Sequence, residues 1–117
     1  MQKKRILIVD DDKSFNYVKR ILSHFIYDLY FAKSISEVTN SLISYEIDLI
    51  IVNINNLTVN GPRLTLKLKR KYRLPLLIIS PEKKHSSLPL IDNKRLFFLP
   101  IPLEKGEFNM MLNLIFY

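Results

Sequence analysis

Residues 48–54, DLIIVNI, set the strongest constraint on the fold. Four consecutive apolar residues, Leu49 to Val52, leave no polar face, and a strand written this way is buried on both sides. Such strands belong to parallel sheets, in which each strand reaches the next through a crossover, usually a helix. The rest of the chain supplies matching parts. RILIV (5–9), YDLYFA (27–32), LPLLIIS (74–80) and RLFFL (95–99) are further runs of strand length. After the first of them, Phe15, Val18, Leu22 and Phe25 recur at helical spacing, which predicts a helix over roughly 13–25 with Asp12 as its N-cap. Ser34 to Glu37 fits a Ser-x-x-Glu capping box opening a helix through about Tyr45, with Val38, Leu42 and Tyr45 as its inward stripe.

The segment after Asn60-Gly61 is less plain. Leu64, Leu66 and Leu68 alternate with polar residues as in a strand, but Pro62 suits the first turn of a helix. The crossover required before LPLLIIS decides for helix. Pro89 leaves the fourth helix short or broken, and LEKGEFNMMLNLIFY closes the chain as the last helix. Five strands alternating with helices predict an α/β domain with a mostly parallel sheet.

At 117 residues the chain is expected to be one domain, and this length supports a core without disulfides or structural metal. The absence of cysteine removes disulfide scaffolds, cysteine-based zinc sites and thiol catalysis together. No apolar run approaches the roughly 18 residues of a membrane span, and Asp10 to Asp12 cut short the apolar stretch that follows Lys3-Lys4-Arg5. A cytoplasmic protein is expected. Eighteen Lys and Arg against eleven Asp and Glu give +7, which favours acidic partners.

In an open α/β sheet, ligands bind outside the carboxyl ends of the strands, where strand order reverses. Three such ends are polar here: Asp10-Asp11-Asp12, Asn53 and Ser80. ILIVDDD, DLIIVNINNLTVNG, LPLLIIS and FFLPIPL follow one another in an order and spacing that resembles the receiver domain of two-component response regulators, over almost the whole chain. The resemblance implies a flavodoxin-like, doubly wound, five-stranded parallel sheet of order 2-1-3-4-5. It further implies metal-binding carboxylates at Asp10 and Asp11, a phosphoacceptor position at 53, a hydroxyl at Ser80 and a switch aromatic at Phe98.

The departures from that pattern carry the functional expectation. Asn53 stands where the family has the aspartate that attacks phosphorus, and an amide has no comparable nucleophilic oxygen. Ile101 stands where the family has a lysine that holds the phosphoryl group. An acid and its cationic partner are thus both absent, as in a site that has lost its chemistry. Asn56-Leu57 replaces the family's Met-Pro pair, and Pro81 follows Ser80 where a small residue is usual. The expected protein is a degenerate pseudo-receiver, not an enzyme, signalling through protein contacts and requiring no cofactor. It is a single domain over 1–117, with the N-terminal part of a longer regulator as one setting for it.

Several residues keep two readings. Asp10 and Asp11, with the Asn55 carbonyl, could retain residual Mg²⁺, or the acids could be solvated and locally hydrogen-bonded. Ser80 could do no more than satisfy nearby backbone, and Phe98, lacking a hydroxyl, is expected to stay inward. Met110, Leu114 and Tyr117 form a second stripe on the last helix that is too apolar for water and predicts a protein partner or homodimer through the last strand and last helix. Lys67, Lys69, Arg70, Lys71 and Arg73 are either a solvated helix face or a site for nucleic acid or another polyanion. His24 and His85 have no partners at metal spacing and are expected to be ordinary surface residues.

Overall fold

The computed structural model describes residues 3–23, 26–53, 67, 73–80, 96–101 and 103–117, with backbone alone at 12–14 and 80. Five strands, β1 (Lys4–Val9), β2 (Tyr27–Ala32), β3 (Leu49–Asn53), β4 (Leu76–Ser80) and β5 (Leu96–Pro100), form one parallel sheet in the order β2-β1-β3-β4-β5. Among the described residues three helices accompany it: α1 (Asp12–Leu22), α2 (Ile35–Ser44) and α3 (Lys105–Phe116).

The period of two along each strand divides the core into two layers. Ile6 and Ile8, Leu49 and Ile51, and Leu77 and Ile79 face one way and pack with Val18 and Leu22 of α1 and Phe108 and Leu112 of α3. Leu7 and Val9, Ile50 and Val52, and Leu76 and Ile78 face the other way, towards Val38 of α2. The sheet is therefore doubly wound. All five residues of β3 are buried, whereas β2 and β5 are half-exposed along most of their length. That difference matches central and edge positions and explains why DLIIVNI could be read as doubly covered. Pro100, which has no N–H to give a ladder, sits at the end of an edge strand, where the loss costs least.

Strand positions agree with expectation to within two residues at either end. The capping box at α2 forms with one change. The Glu37 N–H donates to Ser34 Oγ at 3.2 Å, but the Glu37 carboxylate returns to the Lys33 N–H, at 2.8 Å, rather than to that of Ser34. Two details of the helices are corrected. Asp12 is the first residue of α1 and not its cap, because the Asp11 carbonyl already accepts the first helical bond, from the Phe15 N–H at 3.0 Å. Tyr45 does not extend the inward stripe of α2. It is the exposed C-cap, its ring lying against Tyr30 with centroids 4.4 Å apart, since the helix ends at Ser44 before another turn can carry it under the sheet. Of the predicted helix after Pro62 only Lys67, which is helical, is described; the rest of it, the break at Pro89, and Phe25, His24 and His85 lie outside the described residues.

Candidate functional site

The carboxyl ends of β1 and β3 bring two polar side chains together, and the register explains why. Val9 pairs with Val52, so the next residues, Asp10 and Asn53, are neighbours, and strand parity sends both side chains to the α1 face of the sheet. Asp10 is fully buried and Asn53 is 4% exposed, the two buried polar residues among those described. Asn53 Nδ2 donates to Asp10 Oδ2 at 3.2 Å, and the Asp11 N–H donates to Asp10 Oδ1 at 2.7 Å. Each carboxylate oxygen of Asp10 thus has a donor.

Those two bonds do not offset burial. Loss of water around Asp10 is the largest influence on its carboxyl, and the neighbouring Asp11 charge adds to it, while the bonds from Asp11 and Asn53 act in the opposite direction. The balance pushes the Asp10 pKa from its ordinary 3.8 up to about 6. A cation beside this carboxylate would reverse the shift, and the residue that follows β5, Ile101, is apolar and 38% exposed.

The donor set suits a hard divalent cation poorly. Such ions take oxygen ligands, usually several, and carboxylates above all. Asp10 turns both oxygens to N–H donors, and one of these donors is the Asn53 amide nitrogen, which cannot ligate a cation while it donates. Among the described residues no three of His, Cys, Asp and Glu converge on a common point. Asp11 is partly exposed, and Asn55 lies outside the described residues.

The other expected residues fall into two places. Ser80 ends β4 in register with Pro100, and its backbone therefore borders the same end of the sheet. Phe98 is half-buried against the α2-side core layer and also borders a groove of about 410 Å³ with Leu99, Pro100, Glu107, Met110, Met111 and Leu114. Met110 and Leu114 are 72% and 68% exposed, and Tyr117 is 85% exposed, so the predicted second stripe does face outward. Lys67 and Arg73 are exposed, while Lys69, Arg70 and Lys71 lie outside the described residues.

Sequence reasoning missed two contacts. It treated Asn53 as the remnant of an acid and not as a donor to Asp10, although matching the parity of the two strands would have placed them side by side. It also missed Tyr17, whose phenol donates to the Leu103 carbonyl at 3.2 Å and ties α1 to the segment between β5 and α3. No spacing rule points to a partner 86 residues away.

With this geometry in view, comparison with known proteins defines the fold class. No protein-family model matches the chain, and no curated protein matches it. Solved structures do. The signal receiver domain of an HD domain-containing protein from Pseudomonas fluorescens is similar with a TM-score of 0.82 at 22% identity, covering 98% of this chain and 88% of that one. The receiver domain of the hybrid histidine kinase CckA gives 0.71 at 22% identity, over 97% and 99% of the two chains. A CheY-like response regulator receiver domain from Methylobacillus flagellatus gives 0.75 at 15% identity, over 98% and 99%. The chain has the receiver fold, of flavodoxin-like type, and the sheet order expected from the sequence is the observed one.

Proposed function

We propose that this chain is a pseudo-receiver that serves signal transduction through protein contacts and carries out no phosphotransfer. One observation carries the reading: at the end of β3, where receiver chemistry needs a nucleophilic carboxylate, Asn53 is buried and spends its amide on Asp10. Ile101 supports it, because an apolar side chain after β5 offers nothing to a phosphoryl group. In this reading the domain is not an enzyme, works in the cytoplasm and needs no cofactor. Asp10 and Asp11, with Asn55, hold Mg²⁺ weakly or not at all, because binding has to break the Asn53–Asp10 bond. The contact surface is the outer side of β5 and α3, with Met110, Leu114 and Tyr117 exposed and the groove beside Phe98 continuous with them. Its occupant is a protein partner or a second copy.

The test is incubation with beryllofluoride and Mg²⁺, followed by amide chemical shifts. The proposal expects no saturable change around residues 53, 80 and 98. Saturable shifts there would overturn it.

A second reading rests on the net charge of +7 and on exposed Lys67 and Arg73. A cluster of Lys67, Lys69, Arg70, Lys71 and Arg73 could bind nucleic acid or another polyanion, aided by Lys3, Lys4 and Arg5. Such binding falls steeply with salt. Titration with short duplex DNA at low and moderate ionic strength separates the readings, since binding that survives neutralisation of the cluster, or no binding, removes this one.

A further inference from the structure

All strands of a parallel sheet begin at one end, and at that end, opposite Asp10 and Asn53, charges and rings are sorted between the two faces. Lys4 opens β1 and pairs with Tyr27, which opens β2. Both side chains take the face covered by α1 and α3. The Phe116 ring of α3 lies with its centroid 5.7 Å from that of Tyr27 and 5.6 Å from Lys4 Nζ, and the Tyr117 ring meets Phe116 edge-on at 6.2 Å. Lys3 is exposed immediately before β1, and Lys19 and Arg20 are exposed in the last turn of α1, which leads into β2. Cations at that helix end offset the negative pole of α1, but Lys3 and Lys4 belong to no helix. The acids of this end lie elsewhere. Asp28 pairs with Arg5 and by strand parity takes the α2 face, Asp48 accepts from the Arg5 N–H at 2.8 Å, and Glu46 follows α2. Among the described residues no Asp or Glu stands on the α1 and α3 face at this end, since Asp12, Glu104 and Glu107 sit where their helices begin, at the other.

We infer that this end of the domain binds single-stranded nucleic acid, with Lys3, Lys4, Lys19 and Arg20 against the phosphates and Tyr117 as the platform on which a base stacks. The inference goes beyond the signalling role proposed above, and its site is a different surface from the cluster between Lys67 and Arg73. Four cations without a carboxylate among them suit a polyanion, and the rings select which one. An acidic peptide or a lipid headgroup engages cations alone, whereas a nucleobase adds a flat π face for the largely exposed Tyr117 ring. That ring has support behind it. Phe116, on which its edge rests, is held between Tyr27 and the Lys4 ammonium, so the platform is in place before a ligand arrives. A duplex, whose bases are already stacked on one another, offers this end its phosphates and leaves Tyr117 unused.

The test is fluorescence anisotropy of labelled oligo(dT) and oligo(U) of about 12 nucleotides with the full chain. Single strands should bind with a log–log salt slope of about −2 to −3, at roughly 0.7 per neutralised phosphate, and the tighter of the two names the sugar. A duplex of equal length should bind at least about fivefold more weakly. Tyr117→Ala should weaken single-strand binding by a similar factor, while Tyr117→Phe, which keeps the stacking face, retains it. Lys3→Gln with Lys4→Gln should weaken binding and flatten the slope by about 1. Because Tyr117 and Lys3 are exposed, Tyr117→Ala and Lys3→Gln should keep the circular dichroism of the parent. Replacing Lys67, Lys69, Arg70, Lys71 and Arg73 by Gln should leave single-strand binding in place, which supports this site and removes the cluster. Binding lost with the cluster and indifferent to Tyr117→Ala overturns the inference and leaves the cluster reading standing. Affinity for duplex or heparin equal to that for single strands overturns the choice of ligand, and absence of salt-sensitive binding to any of them overturns both sites.

Discussion

Replacing Asp10 by Asn should stabilise this protein, and more so as the pH rises. The side chains are nearly isosteric, and the Asn carbonyl can still accept from the Asp11 N–H while Asn53 turns its own carbonyl to the new amide. What changes is the charge. Unfolded, Asp10 releases its proton near 3.8, whereas in the folded protein it holds it up to about 6. Between those values the native state binds a proton that the unfolded state has lost. Stability is therefore full below about 4 and falls as pH rises through 6, the reverse of a salt-bridged carboxylate. At ~1.36 kcal/mol per unit, a shift of roughly two units costs about 3 kcal/mol at pH 7.5. For a domain of this size, that is a melting temperature about 12 °C lower. The Asn variant removes the cost. Urea denaturation of both proteins at pH 4 and pH 7.5 should give nearly equal stabilities at the lower pH and a gap of about 3 kcal/mol in favour of the variant at the higher. A variant that is less stable by the same amount at both pH values would refute the reasoning, because it would mean that Asp10 is a net contributor whose charge is compensated.

Other changes follow from the same geometry. Asn53→Asp sets a second carboxylate where a donor now stands 3.2 Å from Asp10, and should cost on the order of 3 kcal/mol at pH 8 in denaturant titrations, less at pH 5, since such a pair keeps a proton between them. Adding Ile101→Lys to that variant should recover part of the loss, and no recovery at low salt would mean that position 101 does not reach the site. Ser34→Ala removes the acceptor for the Glu37 N–H and should lower stability by about 1 kcal/mol by the same titration, with no change in any binding property. Tyr17→Phe, which loses a half-exposed bond to the Leu103 carbonyl, should cost less than about 1 kcal/mol and accelerate amide exchange between β5 and α3.

Much of the fold was legible because burial on both faces writes itself into unbroken runs such as LIIV at 49–52 and LLII at 76–79, and a run of that kind can only be central. Edge strands were also found, though β2 is half-exposed, because its aromatic and branched residues favour extended backbone. The end of α2 was misjudged for a physical reason. An aromatic at helical spacing looks inward-facing whether or not the helix continues, and Tyr45 instead finds a partner in Tyr30 beyond the last turn. At the site, residue types carried the expectation of lost phosphotransfer, whereas the bond from Asn53 to Asp10 depends on register between strands 43 positions apart. The Tyr17 bond to Leu103 depends on the packing of α1 beside the turn after β5, which only the folded chain brings together. The outward stripe of α3 was legible in the sequence, and Phe108 and Leu112 occupy the inward side of the same helix.

The central claim is that this receiver fold binds and does not accept phosphate. Intact mass spectrometry after incubation of the native protein with acetyl phosphate and Mg²⁺ addresses it most directly. An unchanged mass is the predicted result; a stable adduct of one phosphoryl group on an aspartate would contradict it.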